Sequence, residues 1–347
     1  MSFLSEKMLF AEHLSLMIKG GIPLVDALDT LKTEARNRIF KKALDEILKR
    51  ILEGESLSKA MGRHPKIFDK FYQNIVRIGE ESGTLEENLN YLSLKLRKDY
   101  EMEKKVKGAL IYPVIILVMT LVIALTVAFF ILPKITNLFQ LLEIELPLAT
   151  KILISFVSFF QKYWLSIFFG IILIILIFRA LLRLKSVKFY LDKASFSLPL
   201  FGQIFKNLNL SFFSRTFYTL LKSGVPLIET LEICAETLPN QVYKQNLTRV
   251  RTEVERGEKV SQGLKIFPKT FPSVFSEMVL VGEKAGTLEE SLLYLAEYHE
   301  KELDSTLKNL SGVIEPVLLI LVGILVAFVA IAIIIPIYRF TGQLRFR

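Results

Sequence analysis

The sequence has few of the residues from which catalytic and metal sites are built. It contains one cysteine, Cys234, and three histidines, His13, His64 and His299, which lie far apart in the chain. One thiol cannot form an intrachain disulfide, and the histidines lack the spacing of metal ligands. The patterns HExxH and GxSxG, typical of zinc and serine hydrolases, are also missing. We therefore predict that the protein is not an enzyme, with no catalytic constellation, metal site or cofactor.

Charged side chains are missing from two long apolar stretches. No Asp, Glu, Lys or Arg occurs in residues 109–132 or 316–338, and a helix needs about 20 apolar residues to cross a bilayer. A third apolar run, residues 164–178, is shorter and can be extended backward to an aromatic interface. The sequence predicts three transmembrane helices, at residues 108–133, 159–182 and 313–338.

What the sequence does have is abundant charge outside these stretches. Charged residues make up 23% of a chain that is 52% hydrophobic, so membrane spans should alternate with water-facing domains. The net charge of +9 lies largely beside the apolar runs, which favours a lipid surface over direct binding of nucleic acid.

Lysine and arginine are unevenly distributed around the first two predicted spans. They cluster before the first span and after the second, whereas three arginines beyond residue 338 argue mildly the other way. Because positive residues tend to stay in the cytoplasm, we predict a cytoplasmic N-terminus. Residues 1–107 and 183–312 should form cytoplasmic bundles, while the connection 134–158 and the tail 339–347 lie outside.

The chain also contains an internal repeat. Gly21-Ile-Pro-Leu24 recurs as Gly224-Val-Pro-Leu227, a shift of 224 − 21 = 203 residues, and the same shift takes Gly83-Thr-Leu-Glu-Glu87 to residues 286–290. Apolar residues in each copy follow the three-to-four spacing of amphipathic helices. We predict an all-α, polytopic membrane protein with two repeated bundles of five or six helices. The middle span returns the chain for the second copy.

One repeated turn resembles a functional loop. Its residues are Gly79, Glu80, Gly83 and Thr84, with the counterparts Gly282, Glu283, Gly286 and Thr287. A phosphate-binding loop would need Lys and Ser/Thr after the second glycine. The structural interpretation is that Gly83 ends one helix, Thr84 caps the next, and Glu87 completes a capping box.

Two functional interpretations of this turn remain open. Glu80, Glu81, Glu86 and Glu87 could bind a hard cation through carboxylate oxygens, although Lys284 replaces Glu81 in the second copy. Alternatively, the turn could be a docking surface for a partner protein.

The ends of the first and third spans also correspond under the repeat. Tyr112 and Glu315 occupy equivalent positions before these spans, and Glu315 is a carboxylate close to the membrane. Prolines at such places can set helix angles. The prolines concerned are Pro113 and Pro133 in the first copy, and Pro316 and Pro336 in the second.

Together these motifs resemble the type II secretion F-protein family, the inner-membrane platform proteins of type II secretion and type IV pilus machines. The resemblance rests on residues 105–113, on 145–150 and on the duplicated Gly-x-Pro-Leu and Gly-Glu-x-x-Gly-Thr-Leu segments. Many members of that family carry a further N-terminal segment, whereas this sequence starts close to its first repeat.

The resemblance implies a scaffold in the bacterial inner membrane. Its expected partners are an assembly ATPase, pilin or pseudopilin subunits, other inner-membrane components of the machine, the lipid bilayer, and further copies of itself in a dimer or higher oligomer. Two alternatives remain: a transporter or channel subunit, which should have polar residues within the spans, and a receptor scaffold with unrelated partners.

Overall fold

The computed structural model describes residues 3–131, 133, 148–181, 184–196 and 201–344, and within these ranges all regular structure is helical. In the first copy, α1 is Phe3–Lys19, α2 Leu24–Glu34, α3 Arg38–Leu52, α4 Leu57–Gly62, α5 Lys70–Ser82 and α6 Leu85–Thr126, followed by a π-helical turn at Val127–Ile131. Two helices come between the copies, α7 at Leu148–Leu181 and α8 at Lys185–Ser195.

The second copy repeats the first helix by helix. Here α9 is Phe201–Lys222, α10 Leu227–Thr237, α11 Gln241–Glu255, α12 Val260–Lys265, α13 Ser273–Ala285 and α14 Leu288–Leu344. The bounds of α2 to α5 are those of α10 to α13 shifted by 203 residues, since Leu24 corresponds to Leu227 and Ser82 to Ala285. Six described helices per copy agree with the predicted five or six.

Each bundle is built around the same aromatic cluster. In the first copy it consists of Phe10, Phe40, Phe68 and Tyr72, and the shift of 203 takes these residues to Phe213, Tyr243, Phe271 and Phe275. The rings pack edge to face or tilted, with centroids 5.7 Å apart for Phe10 and Phe40 and 5.6 Å apart for Phe213 and Phe271. Such arrangements are the favoured geometry of aromatic pairs.

The chain divides into two compact units. One combines residues 1–105 with 188–306 and therefore contains both bundles; the other combines 106–187 with 307–347. In the second unit the apolar side chains of α6 are largely exposed, such as Ile111 and Leu121 at 58% each. Exposed apolar surface of this extent is typical of contact with lipid or another protein.

Two described helices are long and apolar enough to cross a membrane, Leu85–Thr126 and Leu288–Ile324. The stretch Leu165–Leu181 within α7 is a shorter apolar helix. The prediction of three spans is therefore not confirmed, and the limits of the spans relative to a bilayer stay a prediction. Residues 148–158, predicted as connection, belong to α7, and residues 339–344, predicted as tail, continue α14. Residues 134–147 lie outside the described part of the chain.

Candidate functional site

The repeated turn holds a neighbouring helix by its N-terminus. The Glu80 carboxylate accepts hydrogen bonds from the backbone N–H groups of Leu57, at 2.5 Å, and Ser58, at 2.9 Å. In the second copy Glu283 accepts from Val260 at 2.7 Å and Ser261 at 3.1 Å. The residues preceding α4 and α12, Ser56 and Lys259, make no side-chain cap. A distant glutamate therefore satisfies the free N–H groups and complements the helix dipole.

The glycine before this glutamate lets two helices approach closely. A Cβ atom added to Gly79 would lie 2.9 Å from the Cα of Leu85, and one added to Gly282 would lie 2.5 Å from the Oγ of Ser291. Real Cβ atoms do not approach other atoms this closely, so a larger side chain would push α5 away from α6. Gly79 and Gly282 thus keep the glutamate-bearing helix against the next one.

The second glycine of the turn ends the helix. Gly83 and Gly286 follow α5 and α13 with φ of 72° each, a left-handed conformation that glycine adopts without the cost imposed by a Cβ. The capping box predicted at Thr84 and Glu87 is not formed among the described residues. The Thr84 hydroxyl instead lies 2.6 Å from the hydroxyl of Ser82, on the other side of Gly83. Thr287 donates its backbone N–H to the carbonyl of Gly282.

The four glutamates considered for a cation are not brought together. Glu80 holds the start of α4, while Glu81 pairs with Arg77 at 3.2 Å. Glu86 lies 3.8 Å from the Nζ of Lys19, and Glu87 is exposed. Within the described residues, the structure brings together no group of three or more acidic, histidine or cysteine side chains that could hold a metal ion. The geometry gives the cation hypothesis no support.

The three histidines are also placed apart, each beside a different partner. His13 lies 3.5 Å from Glu34, and His64 lies 3.4 Å from Glu46. His299 is buried, with its Nδ1 atom 3.1 Å from the Oδ1 atom of Asn207. Burial, and to a smaller extent the nearby charge of Lys206, lower the pKa of His299 to about 4.

A second candidate surface is the contact between the two bundles, which the sequence did not indicate. Arg77 of α5 donates to Glu229 of α10 at 2.7 Å, and the Nζ of Lys70 lies 2.8 Å from Glu236. Further along, Lys105 of α6 pairs with Asp304 of α14 at 2.6 Å. These ion pairs join the copies across more than 150 residues of sequence.

A buried ion pair lies at the centre of this contact. The Nζ of Lys95 is 2.5 Å from the carboxylate of Asp99, with side-chain exposures of 4% and 7%. The same ammonium stands 3.9 Å from the ring centroid of Phe212, which belongs to the second bundle. Asp99 precedes the predicted first span, and burial raises the pKa of its carboxyl, an effect that Lys95 opposes. A pair this buried costs desolvation, so its burial depends on the two bundles staying in contact.

The first and last helices of each bundle are joined by an ion pair, but the two charges are exchanged between the copies. In the first copy Glu12 of α1 binds Arg97 of α6. At the equivalent positions of the second copy, Arg215 of α9 binds Glu300 of α14 at 2.6 Å. The repeat therefore keeps the ion pair and exchanges which of the two helices carries the positive charge.

The span-end residues lie within helices rather than at their ends. Tyr112 and Pro113 belong to α6, and Glu315 and Pro316 to α14; Tyr112, Glu315 and Pro316 are exposed. Pro133 follows the π-helical turn, and Pro336 belongs to α14. Proline inside a helix removes one backbone hydrogen bond, so Pro113 and Pro316 weaken their helices at equivalent points.

Comparison with known proteins gives the same duplication. The family described as Type II secretion system (T2SS), protein F matches residues 10–133 and again residues 213–336. The type IV pilus assembly protein PilC of Thermus thermophilus is 30% identical over 341 residues, covering 98% of this chain and 84% of that protein. PilC of Pseudomonas aeruginosa is 29% identical over 332 residues, covering 95% and 88%.

A relative from a type II secretion system is similar over the same share of the chain. Type II secretion system protein F of Vibrio cholerae is 27% identical over 329 residues, covering 95% of this chain and 81% of that protein. Because the family matches most of the chain, in two copies that coincide with the two halves of the repeat, this protein belongs to the type II secretion system protein F family.

Proposed function

We propose that this protein is the membrane platform of a machine that builds type IV pili or carries out type II secretion. Its relatives bear the names of both kinds of machine, and their similarity extends over nearly the whole chain. The protein acts as a scaffold rather than as an enzyme, consistent with a family of structural platform proteins.

The observation that carries the proposal is how each bundle ends. The last helix of the first bundle, α6, continues without interruption from Leu85 into an apolar segment, and α14 does the same from Leu288. The two bundles belong to one compact unit. A partner that displaces this unit would therefore move two membrane helices together.

We place an assembly ATPase at the bundles and pilin or pseudopilin subunits at the apolar helices. ATP hydrolysis in the partner would displace the bundles, and the attached helices would lift subunits from the bilayer into a filament. The proposed setting is the bacterial inner membrane, with three spans and the N-terminus in the cytoplasm. The supporting pattern is the clustering of lysine and arginine beside the spans.

Several of those positive residues also have a structural task. Lys95, Arg97, Lys98 and Lys105 each pair with a carboxylate of the bundles. The orientation rule counts lysine and arginine whatever their partners, so the proposed topology uses residues that also form ion pairs within the first bundle or between the two bundles.

Site-specific photocrosslinking in living cells tests the proposed partners. A photoreactive amino acid is placed at Ile39 or Ile266, which are 65% and 57% exposed on the bundles, or at Leu121, 58% exposed on α6. The bundle positions should form adducts with the ATPase, and Leu121 should form adducts with pilin. The matched control is Leu44, which is fully buried. Absence of both adducts from every exposed position would contradict the proposal.

A further inference from the structure

One side of helix α8 is attached to the second bundle. The Asp192 carboxylate accepts a hydrogen bond at 2.7 Å from the backbone N–H of Gln241, at the start of α11. Phe196 follows α8, and its ring centroid lies 5.9 Å from that of Tyr243. From Lys188 onward the helix belongs to the compact unit that contains both bundles. A hydrogen bond to a charged group and an aromatic contact therefore hold this side of α8 against the bundle.

The opposite side of α8 is apolar and exposed. Successive residues of an α-helix are separated by about 100° around its axis, so Tyr190 and Ala194 lie opposite Asp192, with Leu191 beside them. Tyr190 is 70% exposed and Leu191 is 39% exposed, and Ala194 is exposed as well. A helix on the surface of a soluble bundle normally has its polar residues on the outer side. The arrangement in α8 is the reverse.

Two lysines flank this apolar side. Lys188 and Lys193 lie on its two edges, each about 100° from its centre around the helix axis. Lys193 is exposed and Lys188 is half-buried. An apolar side between positive flanks is typical of a helix that lies in the plane of a membrane interface, since lysine can extend its ammonium group toward the lipid phosphates. We call Tyr190, Leu191, Ala194 and the two lysines the outer face of α8.

The sequence around α8 is positive with a single exception. Asp192 is the only acidic residue in positions 146–228, and its carboxylate is bound to the backbone of α11. Arg179, Arg183 and Lys185 precede the outer face along the chain. A surface of this charge attracts the anionic headgroups of a bilayer.

The position of α8 in the chain favours lipid over a protein partner. The apolar stretch Leu165–Leu181 ends α7 just before α8 begins, and its side chains are largely exposed, with Ile174 at 66% and Phe169 at 60%. The outer face also has far fewer residues than the roughly 20–30 on each side of a stable protein interface. A small apolar face directly after an apolar stretch fits the surface of a bilayer.

We propose that α8 is an interfacial helix whose outer face binds anionic phospholipids. Tyr190 and Leu191 lie among the acyl chains next to the headgroups, while Lys188 and Lys193 contact the phosphates. Each lysine near an anionic surface strengthens binding by about fivefold. The other side of α8 then holds the second bundle at the membrane surface. The inference rests on the membrane setting of the chain and not on the proposed platform role.

Tryptophan fluorescence of the full-length protein in lipid nanodiscs tests the contact with lipid. Trp164 is the only tryptophan of the chain, so in a Trp164→Phe background Tyr190→Trp adds a single reporter on the outer face. Lipids with brominated acyl chains should quench it. Leu121→Trp, at a residue 58% exposed on α6, reports insertion of the protein and should also be quenched. Ile266→Trp, at a residue 57% exposed on the second bundle, is the matched control and should not be quenched.

Nanodiscs of mixed lipids, in which only one lipid is brominated, test the preference for anionic headgroups. At equal mole fractions, brominated phosphatidylglycerol should quench the Tyr190→Trp chain more strongly than brominated phosphatidylcholine. Addition of Lys188→Gln and Lys193→Gln should remove most of this difference. The control, Lys259→Gln with Lys269→Gln, removes the same charge from exposed positions of the second bundle and should leave the difference unchanged.

Two results would overturn the inference and leave the membrane setting intact. One is quenching of the Leu121→Trp chain without quenching of the Tyr190→Trp chain. The other is equal quenching by the two brominated lipids, or a preference that persists without Lys188 and Lys193. Lack of quenching at both Leu121→Trp and Tyr190→Trp would overturn the membrane setting together with the inference.

A photoreactive amino acid at Tyr190 in living cells distinguishes lipid from protein. It should form no adduct with another protein, because lipid covers the outer face. A protein adduct at Tyr190 would assign the outer face to a protein partner and would also overturn the inference.

Discussion

Glu80 and Glu283 act on residues more than 20 positions earlier in the sequence. Each carboxylate takes two backbone N–H groups at the start of a short helix, at separations of 22 and 23 residues. The sequence marked both glutamates as part of a turn that is either structural or a docking surface for a partner, and it marked Glu80 as a possible cation ligand. A hydrogen bond between residues this far apart leaves no periodic pattern in the sequence. The one available sign was that the glutamate and the start of the short helix recur together in both copies.

Removal of this charge should loosen α4 or α12 specifically. We expect Glu80→Gln and Glu283→Gln each to destabilise the bundle by about 1.5–3 kcal/mol, the usual value for hydrogen bonds to a charged group. Hydrogen exchange should accelerate at the amides of Leu57 and Ser58 in the first variant. Glu87→Gln serves as the control within the same turn, because Glu87 is exposed, and should change stability by less than about 0.5 kcal/mol. Equal effects of all three substitutions would exclude the capping role.

His299 should make the stability of the second bundle depend on pH. Its pKa falls from 6.5 to about 4 because of burial, so the unfolded chain binds the proton more readily than the folded one. Stability is therefore fully present above pH 6.5 and decreases as the pH falls toward 4, by roughly 3 kcal/mol. Thermal unfolding of the detergent-solubilised protein at a series of pH values measures this loss.

The repeat supplies the control for this pH dependence. The first copy has Leu96 and Leu4 where the second has His299 and Asn207. The double variant His299→Leu/Asn207→Leu removes the imidazole without leaving the Asn207 amide unpaired, and its unfolding should lose this component of the pH dependence. A double variant with the same acid sensitivity as the parent would assign the effect to other groups.

At the scale of helices, repetition predicted more than local motifs did. The shift of 203 residues reproduces the bounds of α2 to α5 in α10 to α13, because the same turns and apolar positions recur. Hydrophobicity marks what can enter a bilayer and not where a helix ends. The predicted spans therefore carried no information on helix bounds, and the structure shows that α14 continues past residue 338 and that α7 starts before residue 159.

The ion pairs of opposite polarity should differ in strength. Arg215 and Glu300 are 10% and 15% exposed, whereas Arg97 and Glu12 are 47% and 28% exposed. A double-mutant cycle on Arg215 and Glu300 should give a coupling energy of about 1–3 kcal/mol, and the same cycle on Glu12 and Arg97 about 0.2–1 kcal/mol.

Exchange of the two charges is a sharper form of the same test. Arg215→Glu alone should destabilise the second bundle, and Arg215→Glu with Glu300→Arg should recover most of the loss. Recovery should be incomplete, because Asp99 lies in the field of Arg215 and Lys98 lies 4.0 Å from Glu300. Thermal unfolding of the parent and the two variants measures this recovery, and a double variant no more stable than the single one would rule out a direct pairing.

At the scale of the whole molecule, the sequence predicted the duplication and the membrane character but not the union of the bundles. Composition and repetition describe what the two copies share. The contact between the bundles depends instead on positions where the copies differ, such as Lys95 and its equivalent Tyr298. The bundles belong to one compact unit with a buried Lys95–Asp99 pair at their contact. In the proposed function, this union is the feature through which a single partner would act on two apolar helices.

The most direct test of this account locks the two bundles together. Lys70→Cys and Glu236→Cys replace a surface ion pair of the contact, and a short bismaleimide then joins them in host cells that lack the native copy. Burial raises the pKa of the Cys234 thiol, so the native cysteine should stay unreactive. The measurement is filament assembly or protein export before and after crosslinking. We predict that activity persists in the locked protein, and loss of activity in it, but not in the equally treated single-cysteine chains, would contradict the account.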